Sequence, residues 1–141
     1  MWVEQVKIML CLLGCSLMSV VAAQEVTAPH PLEGSWRLES GVIYQDGQAT
    51  EYATARMQSI KVVAGNHFSF VSHKNNQFYA AAAGSVRILQ DQYIEVPEFA
   101  SYPPLIGQQF QFRFQLQQDR WLNERYEAGQ LVEREVWRRL P

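Results

Sequence analysis

The stretch "QFQFRFQLQ", Gln109–Gln117, alternates polar and apolar residues without a break. A helix would scatter Phe110, Phe112, Phe114 and Leu116 around its circumference. A β-strand, with its period of two, gathers them on one face. Similar short runs recur from residue 34 onwards: "GSWRLESGVI", "MQSIKVV", "HFSFVSH", "FYAAAAG", "SVRIL", "QYIEVPEF", "RWLNERYE" and "LVEREVWRRL". Turn compositions such as "AGN" and "KNNQ" separate them at hairpin length. Residues 44–56, "YQDGQATEYATAR", read as a loop with one helical turn at most, and "ASYPPLIG" as a second loop. Eight or nine short strands and almost no helix predict an all-β domain over 34–141, an eight-stranded antiparallel up-and-down β-barrel. Closure removes the exposed edges that an open sheet keeps, and eight strands leave room for one small ligand. A β-sandwich is the architectural alternative. The run Ala80–Ala83 suits a strand crowded by a neighbour, or a place where something approaches closely.

The N-terminal segment follows another pattern. A short charged head, "MWVEQVK", precedes the apolar run "IMLCLLGCSLMSVV" and the small residues "VAA" before Gln24. That order predicts a signal peptide over 1–23 cut after Ala23, and therefore a secreted or periplasmic protein. A rival reading takes "LLGC" as a lipobox with Cys15 lipid-anchored, against which Leu13 is bulky and the following residues stay apolar. The run is too short for a comfortable membrane span of roughly 20 residues, which favours a signal peptide, and with its removal no span is expected in the mature chain. Residues 24–33, with two prolines, read as an extended arm. Both cysteines fall within 1–23, so the mature chain has no disulfide or thiol chemistry. A net charge of −2 offers no basic excess for phosphates and argues against nucleic acid as partner.

Cross-strand pairing sets the register at the C-terminus. With Ala128-Gly129-Gln130 as the loop, Arg125 faces Glu133, Glu124 faces Arg134, Leu122 faces Val136 and Trp121 faces Trp137. Such pairs contribute roughly 0.2–1 kcal/mol each. Shortening the loop to Ala128-Gly129 would set Glu124 against Glu133. With Gln118-Asp119 as the preceding loop, Leu116 meets Trp121, Phe114 meets Asn123 and Phe112 meets Arg125. One face then carries Phe110, Phe112, Phe114, Trp121, Asn123, Arg125, Glu133, Glu135, Trp137 and Arg139, and the phenylalanine row marks it as the interior.

If first and last strands pair antiparallel, the start of "GSWRL" lies near the end of "VWRRL". Trp36 would then plug one barrel end under Arg139, a cation over an indole worth roughly 0.5–2 kcal/mol, with Gly34 letting the incoming arm cross beneath. Gly34, Trp36 and Arg139 are thus expected to form a structural staple, with Arg138 the fallback partner.

Gly34-x-Trp36 on the first strand and an arginine at the end of the last resemble the lipocalin arrangement. "MQSIKVVAGNHFSFV", "AAGSVRI", "GQQFQFRFQLQQDRWLNERY" and "EREVWRRL" resemble a lipocalin-like domain of secreted bacterial proteins, over most of residues 34–140. The resemblance implies a calycin-type barrel and a small apolar ligand. The chain departs from larger lipocalins in lacking a helix near the last strand, and from fatty-acid-binding barrels in lacking a helical lid.

Within that frame, Phe112, Phe114, Trp121 and Trp137 are candidates for an apolar wall. Asn123, Arg125, Glu133 and Glu135 form a polar cluster in which Arg125 would orient an acidic or carbonyl head. Alternatively, Arg125, Glu133 and Glu135 only satisfy one another around trapped water. Glu133 and Glu135 are spaced like an acid/base pair, but Arg125 favours both ionised, so no catalysis is expected. His67 and His73 lie roughly 20 Å apart along one strand and cannot share a metal; no metal or cofactor is expected. Two functions remain: a binder of a small, mostly apolar ligand, or a protein-interaction or inhibitor module with a filled barrel that acts through its loops.

Overall fold

The structure, a computed structural model, describes residues 30–141. The expected signal peptide over 1–23, the alternative anchor at Cys15 and the arm as far as residue 29 lie outside the described residues. From Gly34 onwards the chain is a meander of nine strands: β1 (Gly34–Gln45), β2 (Gln48–Glu51), β3 (Met57–Ala64), β4 (His67–Lys74), β5 (Gln77–Leu89), β6 (Gln92–Ala100), β7 (Phe110–Gln117), β8 (Arg120–Glu127) and β9 (Gln130–Arg139). One short 3₁₀ turn, Pro103–Leu105, interrupts them. Neighbours from β3 to β9 pair antiparallel in chain order, and β1 pairs with both β3 and β9, so eight strands close into an up-and-down barrel. β2 pairs only with the far end of β1, Val42–Gln45, and stands outside the cylinder.

That small flap corrects the expectation of a loop over 44–56. The turn residues Asp46 and Gly47 both have positive φ (51° and 75°), which matches hairpin twist and lets β1 fold back on itself. The remaining turn carries Tyr52 back towards the barrel. Its N–H donates to the Gly41 carbonyl at 2.9 Å, and its ring fills the space where a Cβ on Gly41 would clash.

At the C-terminus the register is the one that the cross-strand charges demand. Leu116 pairs with Trp121 and Phe112 with Arg125 across the Gln118–Asp119 turn. Trp121 pairs with Trp137, Glu124 with Arg134 and Arg125 with Glu133. The β8–β9 turn is nevertheless the shorter one, Ala128–Gly129, because Glu127 pairs with Gln130. A bulge at Val132, between the Arg125–Glu133 and Tyr126–Leu131 pairs, absorbs the extra residue and restores the charge matching.

β5 is a single strand rather than two. A bulge in β6 at Glu98 brings that strand so close to Gly84 that a Cβ there would run into the Val96 carbonyl. Crowding therefore explains the glycine, while Ala80 and Ala82 face the interior.

One end of the barrel is shut by the incoming chain. Trp36 is fully buried, and its Nε1–H donates to the Leu32 carbonyl at 2.8 Å. Its ring packs edge-on to Trp121 at 5.3 Å, and Trp121 meets Tyr93 at 4.8 Å. Edge-to-face packing of this kind suits the quadrupoles of the rings. The Arg139 guanidinium lies 4.1 Å from the centre of Trp36. It donates to the carbonyls of Glu33 (2.6 Å) and Pro31 (2.7 Å), so it clamps residues 31–33 beneath the barrel. Gly34 has φ of 130°, and a Cβ on it would sit 2.9 Å from Arg139 Nη1. Leu32, completely buried, completes the floor of this end.

Removing the indole should therefore open the closed end. Trp36→Ala is expected to lose about 3–5 kcal/mol of stability in urea denaturation, the range of large aromatic deletions. A loss below about 1 kcal/mol would contradict the plug.

Candidate functional site

The aromatic plug fills the half of the barrel next to the β3–β4, β5–β6 and β7–β8 turns. The other half encloses a cavity of about 220 Å³. Its walls are mostly apolar: Leu38 from β1, Met57 from β3, Phe70 from β4, Pro97 from β6, Phe110 and Phe112 from β7, and Trp137 from β9. Leu105 of the 3₁₀ turn and Tyr79 add to the lining. Ala80 and Ala82 also line it, and their short side chains leave room that bulkier residues would occupy.

Beneath the cavity lies a charged pair. Lys61 is 3% exposed and Glu95 5% exposed, and Nζ meets Glu95 Oε1 at 2.7 Å. The Tyr93 hydroxyl donates to the same oxygen at 2.7 Å. Four rings surround the ammonium, with centres at 4.8 Å (Trp137), 5.4 Å (Tyr93 and Trp121) and 5.9 Å (Phe112). Burial opposes the charge on Lys61, but the carboxylates of Glu95 and Glu135 outweigh it and hold the amine above its ordinary range. Lys61 is a structural cation here, since its proton stays on.

β9 brings two more carboxylates inward. Glu133 is engaged at both oxygens: Oε1 accepts from the Tyr52 hydroxyl at 2.8 Å and Oε2 from Arg125 Nε at 3.0 Å. Burial, with the charges of Glu133 and Glu135, keeps the Tyr52 hydroxyl protonated. Arg125 also bonds Glu127 at the rim. Glu135 Oε2 accepts from Trp137 Nε1–H at 2.9 Å. Burial pushes the Glu135 carboxyl up to about 7, with Lys61 and the indole N–H pulling the other way and Glu133 and Glu95 adding to the rise.

Of the residues expected at a ligand site, Phe112, Glu133, Glu135 and Trp137 line the cavity, and Phe114, Trp121, Asn123 and Arg125 do not. Phe114, Trp121 and Asn123 point inward but at the wrong height, within the plug. Trp121 Nε1–H donates to Asn123 Oδ1 at 2.7 Å there, and Asn123 Nδ2 has no hydrogen-bond partner among the described residues. Arg125 is held by Glu133 and Glu127 at the side of the cavity, so, against the expectation from sequence, it neither pairs with Glu135 nor keeps that carboxyl ionised. Sequence reasoning missed Lys61, Glu95 and Tyr52. In β3 the apolar Ile60 and Val62 face out, 42% and 39% exposed, while Ser59, Lys61 and Val63 face in. The usable signal was the pairing of Lys61 with Phe70, because cross-strand partners share a face.

Fold and cavity together define a closed antiparallel β-barrel, consistent with a calycin-type fold, with a small, largely apolar chamber open at one end. No protein-family model and no curated protein matches the chain.

Two outcomes test this electrostatic arrangement. Lys61→Met leaves Glu95 buried without its cation and should cost about 3–5 kcal/mol, whereas Lys61→Met combined with Glu95→Gln should recover most of it in the same urea titration. Glu135 binds its proton more tightly folded than unfolded, so its contribution is present below about pH 4.5 and fades as pH rises through about 7. The stability of wild type minus that of Glu135→Gln should therefore fall by about 1–3 kcal/mol between pH 5 and pH 8.

Proposed function

We propose that this protein is a secreted or periplasmic lipocalin-like barrel that binds a small, mostly apolar molecule in its open half and performs no chemistry on it. The observation that carries the reading is the unfilled chamber itself: apolar walls with a few polar groups on one side are the usual composition of a small-molecule site. Apolar cavities of about 150 Å³ accept a benzene ring. At about 220 Å³, the chamber suits a single ring with a short substituent. Binding without catalysis is favoured because the groups that could work with Glu135 are engaged: Lys61 is held as an ammonium by Glu95, and Glu133 is bonded to Arg125 and Tyr52. The export part of the reading rests on residues 1–23. The lipocalin part rests on Gly34, Trp36 and Arg139.

A second reading, a protein-interaction module acting through its loops, draws on Phe78, Phe99, Tyr102 and Ile106. These are exposed on β5, on β6 and in the β6–β7 loop, with Phe99 at 74%. The cavity weighs against the filled barrel that this reading pictures.

Native mass spectrometry of protein purified from the cells that produce it should show added small-molecule mass, released on denaturation. Ala82→Leu, which fills the chamber, should abolish the adduct while the protein keeps its β-sheet circular dichroism. An adduct retained by Ala82→Leu would place the ligand elsewhere.

A further inference from the structure

Resting on the reading of the open half as a ligand chamber, we propose that its ligand is a basic amine: one apolar ring or comparable body bearing a protonated nitrogen, which pairs with the Glu135 carboxylate. The charges of the barrel interior come from four strands. β3 contributes Lys61, β6 contributes Glu95, β8 contributes Arg125, and β9 contributes Glu133 and Glu135. The turn after β2 adds the Tyr52 hydroxyl. Lys61 is committed to Glu95 at 2.7 Å. Arg125 is committed to Glu133 at 3.0 Å and to Glu127. Among the described residues, three inward carboxylates thus face two cations, both already paired.

Glu135 is the one left over. It lines the chamber, yet among the described residues no ammonium or guanidinium lies within the 4.0 Å of a salt bridge. Its only side-chain hydrogen bond among the described residues is the neutral Trp137 indole N–H on Oε2. Lys61 pulls on Glu135 through space but makes its ion pair with Glu95, so Glu135 has no cation in contact among the described residues, and a ligand ammonium would supply one. A carboxylic acid would meet Glu95, Glu133 and Glu135, and among the described residues the one cation lining the chamber, Lys61, is already paired with Glu95. A neutral molecule would leave Glu135 as it stands. The apolar body would lie against Leu38, Phe70 and Ala82, where the wall carries no charge.

Isothermal titration of the folded chain with three probes that share a phenylethyl body and differ in charge tests this: phenethylamine, 2-phenylethanol and 3-phenylpropanoate. At pH 8, phenethylamine should bind about tenfold tighter than the alcohol, the difference expected of one charge-assisted hydrogen bond, and the acid weakest. Glu135→Gln should erase the preference for the amine while the alcohol still binds, and Ala82→Leu should remove all three. Lowering the pH to 5.5 protonates Glu135 and should weaken the amine about tenfold relative to the alcohol in the wild type, which repeats the test without a variant. The amine assignment is overturned, with the chamber left standing, if the alcohol or acid binds as tightly as the amine, or if the preference survives Glu135→Gln. Failure of all three probes to bind the folded wild type would overturn the chamber reading as well.

Discussion

The pairing of β1 with β9, from Trp36 opposite Arg139 to Ile43 opposite Glu133, is the contact on which the remaining structure depends. Without it the meander is an open sheet with two exposed edges. With it, every strand must send alternate side chains to one common interior, and a slip by one residue anywhere exchanges inside for outside. The seam also brings the incoming chain beneath its own last strand, where Arg139 reaches the carbonyls of Pro31 and Glu33 across more than a hundred residues of sequence. Arg139 thus acts on both partners of the closure: its guanidinium covers the Trp36 ring and its donors hold the backbone that enters it.

Closure imposes a cost as well as a shape. Inward parity in β3 is anchored by Val63 next to the plug, and the same parity takes Lys61 into the interior and leaves Ile60 and Val62 on the surface. A lone buried ammonium would be prohibitive. Glu95 on the facing strand, Tyr93 beside it and four aromatic rings offset that desolvation. The pair then serves as a partition. Below it the aromatic rings interlock, and above it the side chains are too short or too sparse to fill the space. Ala80 and Ala82 are the clearest case: with Ala82 set between Phe70 on β4 and Ala100 on β6, two small residues preserve a void that larger ones would close.

Much of this was legible in the chain. Alternation in "QFQFRFQLQ" and its neighbours pointed to strands, and hairpin spacing pointed to closure. The charge pairs Glu124–Arg134 and Arg125–Glu133 located the register of β8 and β9 even though the turn between them was misjudged. A two-residue turn with a bulge at Val132 gives the same pairing over Trp121–Arg125 as a three-residue loop without one, so strand-body chemistry could not tell them apart. The Asp46-Gly47 hairpin went unread because its second strand, "QATE", has no buried residue to create a pattern.

The site was only half legible, for a geometric reason. Parity along a strand is local: it follows from the pleat, and so Phe112, Phe114, Trp121, Asn123, Glu135 and Trp137 could all be assigned inward from sequence. Height within the barrel is not local. Whether an inward residue lines the chamber or packs in the plug depends on where Trp36 inserts and how far strands are staggered, and both are set by contacts between distant segments. That is why Trp121 and Asn123 belong to the plug while Lys61, Glu95 and Tyr52 border the chamber. The amino-acid order by itself determined that this chain forms strands, which side of most of them turns inward and which ends must meet. The tertiary structure alone decided where the interior is solid, where it is hollow and which carboxylate, among the described residues, has no ion-pair partner, because only packing in three dimensions counts neighbours that the sequence keeps apart.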